Sequence, residues 1–177
     1  MSEEFSFITP HSSLITSSLR VRVFRLGVDL VLPFYDPAEH ERTTPEKLYR
    51  AFTEGAAMAK WLPPHGFTCT VHEMEARVGG SFRMSFTNFG TGHAHAFGGK
   101  YLELVPGERI RYTDQFDDPN MPGEMLVTVT LKAVSCGTEL SVVQEGIPAV
   151  IPAEMCYLGW QESLAQLRTL VEPEIPG

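Results

Sequence analysis

The sequence predicts an α+β fold: a curved antiparallel β-sheet wrapped around a long C-terminal α-helix, with two short helices near the N-terminus. Three observations predict it. Apolar residues follow helical spacing across residues 44–62 and switch to a period of two across residues 67–145. About six strand-like runs then follow one another with short turns between them, which reads as an antiparallel meander. Helical spacing returns from Pro152 to Glu172, long enough to cover the one face that such a sheet must bury.

Taken in order, residues 1–18 are polar and rich in Ser and Thr, and read as a loose extension ahead of a single domain spanning 19–172, with a short tail at 173–177. "LRVRVFRLGVDLVL" alternates apolar and polar residues on both sides of Gly27, as a strand or bent strand does. In "TTPEKLYRAF", Thr44 can cap a helix, Pro45 suits its first position, and Glu46 complements the dipole. "EGAAMAKWL" makes a second short helix that Pro63 and Pro64 stop. The meander follows as "FTCTVHEMEARV", "SFRMSF", "HAHAFGGKYLELV", "RIRYTDQF", "MLVTVTLKAV" and "TELSVVQE". A β-bulge is expected at Gly98-Gly99, because apolar residues fall on odd positions before the pair and on even positions, Leu102 and Leu104, after it. In the final helix Cys156, Trp160, Leu164, Leu167 and Val171 form one apolar stripe. Gly159 interrupts that helix at a cost of about 1 kcal/mol against Ala, which close approach of another group would explain.

Composition narrows the functional classes. A net charge of −8 with scattered Lys and Arg disfavours nucleic acid and anionic membrane surfaces as partners. No run reaches the roughly 18 apolar residues of a bilayer span. The acidic start lacks the order of a secretory signal, although "SSLITSSLRVR" leaves a transit peptide as an alternative. Three widely separated cysteines suit reduced thiols and a cytoplasmic location.

"GHAHAFGG" places His93 and His95 on one face of a strand, as a chelating pair would be. A metal would need a further ligand from His72, Asp114, Glu145 or Cys156, none at an informative spacing, so the end of a hairpin is the preferred reading and no metal or cofactor is expected. Pairing across the 87–94 turn sets His95 beside Phe86 and Phe97 beside Met84, on the apolar face. No nucleophile motif is present. Asp114 and Glu145 on neighbouring strands could serve as acid and base if buried together. A sheet curled around a helix need not fill completely, and a cavity between the two layers is expected. Its wall would draw on Trp61, Phe82, Met84, Phe86, Phe97, Tyr101, Tyr112, Phe116, Met125, Cys156 and Trp160, with His95, Asp114 and Glu145 as further polar groups.

"KWLPPHGFTCTVHEMEARVGGSFRMSF", "FGGKYLELVPGERIRYTDQF", "GEMLVTVTL", "CGTELSVVQEG" and "YLGWQESLAQL" resemble homologues of the activator of the heat-shock protein 90 ATPase. These belong to the START-like, helix-grip (SRPBCC) superfamily of carriers, cyclases and cochaperone modules. The resemblance covers about residues 43–172 and rests on Trp61, Gly79-Gly80, Gly99 with Tyr101, Gly137-Thr138 and Gly159-Trp160. The N-terminal docking domain of the eukaryotic cochaperone has no counterpart in the sequence. What the resemblance implies is a helix-grip fold that binds a small hydrophobic or aromatic ligand without catalysis. A chaperone-contacting module in stress response, or a cyclase- or hydrolase-type enzyme using pocket acids, are its alternatives. A monomer or a homodimer would serve each.

Overall fold

The structure, a computed structural model, describes residues 18–21, 25–26, 43–134 and 137–173. Its elements are β1 (Ser18–Val21), β2 (Arg25–Leu26), α1 (Pro45–Thr53), α2 (Gly55–Trp61), β3 (Phe67–Met74) and β4 (Ser81–Asn88). They continue as β5 (Ala94–Val105), β6 (Arg109–Phe116), β7 (Met125–Val134), β8 (Gly137–Glu145) and α3 (Ala153–Val171). The polar segment 1–17, most of the strand expected over 19–32, and the tail beyond 173 lie outside the described residues.

The helix signals act as their chemistry requires. The Thr44 hydroxyl accepts the Lys47 backbone N–H at 3.3 Å, Pro45 occupies the first turn, and Leu48, Ala51 and Phe52 form the buried face of α1. The strands run antiparallel in the order β1-β8-β7-β6-β5-β4-β3, with β2 also paired to β8. The sheet curls into a half-barrel, and α3 lies against it. α2 bridges α3 and the edge strand β3, and α1 packs on β7 and α3.

Strand alternation sorts the side chains. Met84, Phe97 and Phe116 stand in one cross-strand row, and Tyr101, Tyr112, Val127 and Gln144 in another. Both rows face α3. The second half of α3 enters this core through Leu164, Leu167 and Val171, all buried. Two threonines fasten the end of that helix: Thr43 donates to the Val171 carbonyl at 3.0 Å, and Thr138 donates to the Thr43 carbonyl at 2.8 Å.

The bulge is not where alternation predicts it. Gly98 and Gly99 pair in unbroken register with Arg83 and Phe82, and the shift falls between Tyr101 and Glu103. Tyr101 therefore still points inward, and Leu102 is the residue turned out, 46% exposed. The two glycines have a different cause. A Cβ on Gly99 would overlap the Thr113 carbonyl, and one on Gly98 the Phe82 carbonyl, so the neighbouring strands approach too closely for any side chain.

Candidate functional site

The first half of α3 stands away from the sheet, and a cavity of about 260 Å³ lies beneath it. Phe82, Phe86, Phe97, Tyr112, Asp114 and Phe116 form its floor on β4, β5 and β6. Gln144 closes one side from β8, and Met58, Leu62 and Pro64 the other, from α2 and the turn after it. The roof is one stripe of α3: Met155, Cys156, Gly159, Trp160 and Ser163. Met155 stays 62% exposed, which puts the mouth at the first turns of that helix.

The wall is aromatic and edge-on. Phe86 and Phe97 meet at 4.7 Å between centroids and 68° between planes, and Phe82 and Tyr112 at 5.5 Å and 86°. Polar atoms at the wall are largely engaged. Trp160 Nε1–H donates to Gln144 Oε1 at 3.0 Å, and Gln144 Nε2 donates to Met125 Sδ at 3.2 Å. The Ser163 hydroxyl donates to the Leu62 carbonyl at 2.6 Å and lies 2.9 Å from that of Gly159. With the His65 N–H held by the Glu162 carboxylate at 3.0 Å, this bond pins the α2–β3 turn to α3. The roof and side wall are thus held in place by hydrogen bonds rather than by packing alone.

Asp114 is the exception. Its Oδ1 is sealed from solvent and has no hydrogen-bond partner among the described residues. Burial pushes its carboxyl from 3.8 up to about 7, against a backbone hydrogen bond from Gln115 that favours the ionised form. Burial first, then the Asp114 charge, raises Tyr112 well above its ordinary value of 10.0.

Eight of the residues singled out in the sequence stand on this wall: Phe82, Phe86, Phe97, Tyr112, Asp114, Phe116, Cys156 and Trp160. Six stand elsewhere. Trp61 is fully buried between α2 and α1, where its ring meets Phe52 and its N–H reaches the Ala51 carbonyl at 2.8 Å. Met84 and Tyr101 are core residues packed behind the wall, and Met125 lies under Gln144. His95 pairs with Phe86 as the turn requires, but it stays half-buried outside the lining, its ring 4.7 Å from that of the exposed His93. Among the described residues no group of His, Cys, Asp and Glu is arranged to hold a metal.

Glu145 needs the clearest correction. β7 separates β6 from β8, and Glu145 pairs with Leu126, on the face opposite to Asp114. It is exposed, and Gln144, one residue earlier, takes the inward position. The expected acid–base pair is not assembled.

Seven lining residues were missed: Met58, Leu62, Pro64, Gln144, Met155, Gly159 and Ser163. The i, i+4 pairs Met58–Leu62 and Gly159–Ser163 carried a signal, as did the parity of Leu140, Val142 and Gln144 on β8. Gly159 also departs from expectation, since nothing lies within 4 Å of a Cβ built there. It faces the open cavity. Gly159→Ala is accordingly expected to stabilise the protein by about 1 kcal/mol in urea unfolding, because Ala favours the helix and its methyl meets no clash.

A curled antiparallel sheet gripping a C-terminal helix is the helix-grip architecture of START-like proteins, here with an apolar cavity between the layers. The chain belongs to the family described as Activator of Hsp90 ATPase homolog 1-like protein, whose model matches residues 42–172. A solved structure from Chromobacterium violaceum is 53% identical, covers 89% of this chain and 98% of its own, and superposes with a TM-score of 0.76. One from Rhodobacter sphaeroides is 27% identical over 75% of this chain and 87% of its own, with a TM-score of 0.66. A third, from Staphylococcus epidermidis, shares the fold at 21% identity, with 75% and 85% covered and a TM-score of 0.61. No curated protein matches the chain. No helix among the described residues is long and apolar enough to cross a membrane.

Proposed function

We propose that the protein binds a small hydrophobic or aromatic molecule in the cavity between sheet and α3. The observation that carries this is an aromatic wall left open beneath a helix whose roof position is a glycine. At interior packing density, about 0.74, a volume of 260 Å³ admits a molecule of on the order of ten heavy atoms. Burying ~200 Å² of apolar ligand surface contributes about 5 kcal/mol before the costs of association, which corresponds to modest affinity.

Native mass spectrometry of protein purified from its own host tests this reading, with Gly159→Trp as the control. A co-purifying small molecule is expected on the natural protein and absent from the variant, whose indole fills the cavity. A ligand retained equally by both would place binding elsewhere and sink the proposal.

A second reading, a module that contacts a chaperone, is supported by the family description. Val150, Met155, Tyr157 and Leu158, all exposed, would be the surface for it. Pull-down of a heat-shock protein 90 that is lost with Leu158→Asp but kept with Gly159→Trp would favour this reading over ligand binding.

A further inference from the structure

The cavity holds one group that the other described residues leave unanswered. Asp114 Oδ1 is buried, accepts no hydrogen bond, and as a carboxylate can only accept one. Among the described residues no Arg, Lys or His lines the cavity, so the wall they form supplies no counter-charge. The neighbouring polar groups are engaged: Gln144 holds Trp160 and Met125, and the Ser163 proton goes to a backbone carbonyl. A buried acceptor without a donor is costly, more so when charged. Asp114 itself stands on the cavity wall and is only part-buried, so a donor for its carboxyl can come from whatever enters.

We propose that the occupant is a small aromatic or alkyl amine bound as its cation, with the ammonium on Asp114 and the hydrocarbon body against Phe86, Phe97, Phe116 and Trp160. This rests on the cavity being a ligand site. The surroundings agree with it in two further ways. Four phenylalanines and a tyrosine line the floor, and attraction of a desolvated cation to aromatic rings adds to that of the carboxylate. The net charge of −8 favours approach of a cation and disfavours that of an acid.

The proposal implies a pH dependence set by Asp114. Among the described residues the titratable groups that line the cavity with it are Tyr112 on its own strand and Cys156 on α3, and burial raises both. β7 and β8 face it with Met125 and Gln144, and α2 with Met58 and Leu62, none of which titrates. Below the range in which Asp114 ionises, the amine keeps its charge and loses its partner.

The test uses three probes of matched shape: 3-phenylpropylamine, 3-phenylpropanol and n-butylbenzene. Binding is followed by calorimetry on the full chain at about pH 8 and about pH 5.5. The amine is expected to bind on the order of tenfold more tightly than either neutral probe at the higher pH. That preference should collapse at the lower pH, and at both pH values in Asp114→Asn. The two-pH comparison on the natural protein stands by itself if the variant does not fold. An alcohol or hydrocarbon that binds as tightly as the amine overturns the proposal and leaves the cavity reading intact. An amine preference that survives acid or Asp114→Asn also overturns it. Failure of all three probes to bind removes the cavity reading itself.

Discussion

Replacing Asp114 by Asn will make the ligand-free protein more stable above neutral pH, by about 4 kcal/mol, and will change it little near pH 4. The sign follows from the direction of the shift. Burial holds the carboxyl at about 7 in the fold, against 3.8 for the free side chain. The folded state therefore binds the proton more tightly than the unfolded state. Stability from this group is fully present below 3.8 and is lost as pH rises toward about 7, after which the loss is constant. A difference of about three pH units at 1.36 kcal/mol each gives the size. Asn matches the shape without the charge, so the difference between variant and natural protein isolates this carboxyl from every other titration. Urea unfolding at several pH values between about 4 and 8 measures it. A difference that stays flat across that range would mean that Asp114 is not held as a buried, unpaired acid. A ligand that supplies a cation should flatten the curve of the natural protein in the same way.

Trp61→Ala is expected to cost about 3–5 kcal/mol in unfolding and to leave ligand affinity unchanged wherever the variant is still folded. Trp61 has no exposed surface, meets Phe52 edge-on at 4.7 Å, and gives its N–H to the Ala51 carbonyl. Its truncation leaves a void between α1 and α2 and removes no residue of the cavity lining. Trp160→Ala should do the reverse. That ring is only part-buried and stands on the cavity wall, held by Gln144, so removing it costs less stability but enlarges the site and frees the Gln144 oxygen. Denaturant midpoints and binding isotherms on the two variants separate the roles. A Trp61→Ala protein that folds well but binds differently would place that indole at the site after all.

The two tryptophans also show how far sequence reasoning reaches. Each lies on an apolar helix face, and both have the composition of a pocket lining. Periodicity tells which face of a helix is apolar and not what stands opposite it. Asp114 was identifiable as an inward polar residue because Ile110, Tyr112 and Phe116 share its parity on β6. That its Oδ1 lacks a partner was not, since that depends on which side chains the other elements bring near it. The Gly98-Gly99 pair was visible as a departure in the pattern, but a close strand approach and a bulge leave the same mark in one dimension. Register separated them.

Element types and most boundaries, the pairing of His95 with Phe86, and the burial of Leu164, Leu167 and Val171 follow from local causes: caps, turns and hydrophobic period. Each is written within a few residues of where it acts. The cavity is not. It exists because α3 leaves the sheet part-way along its length, because Gly159 offers no side chain to fill the gap, and because the parity of β8 turns Gln144 rather than Glu145 toward the cavity. Those are relations among segments up to about a hundred residues apart, settled by how the sheet curls and where the helix crosses it, and one oxygen of the Asp114 carboxyl is left without a donor only once all of them are in place.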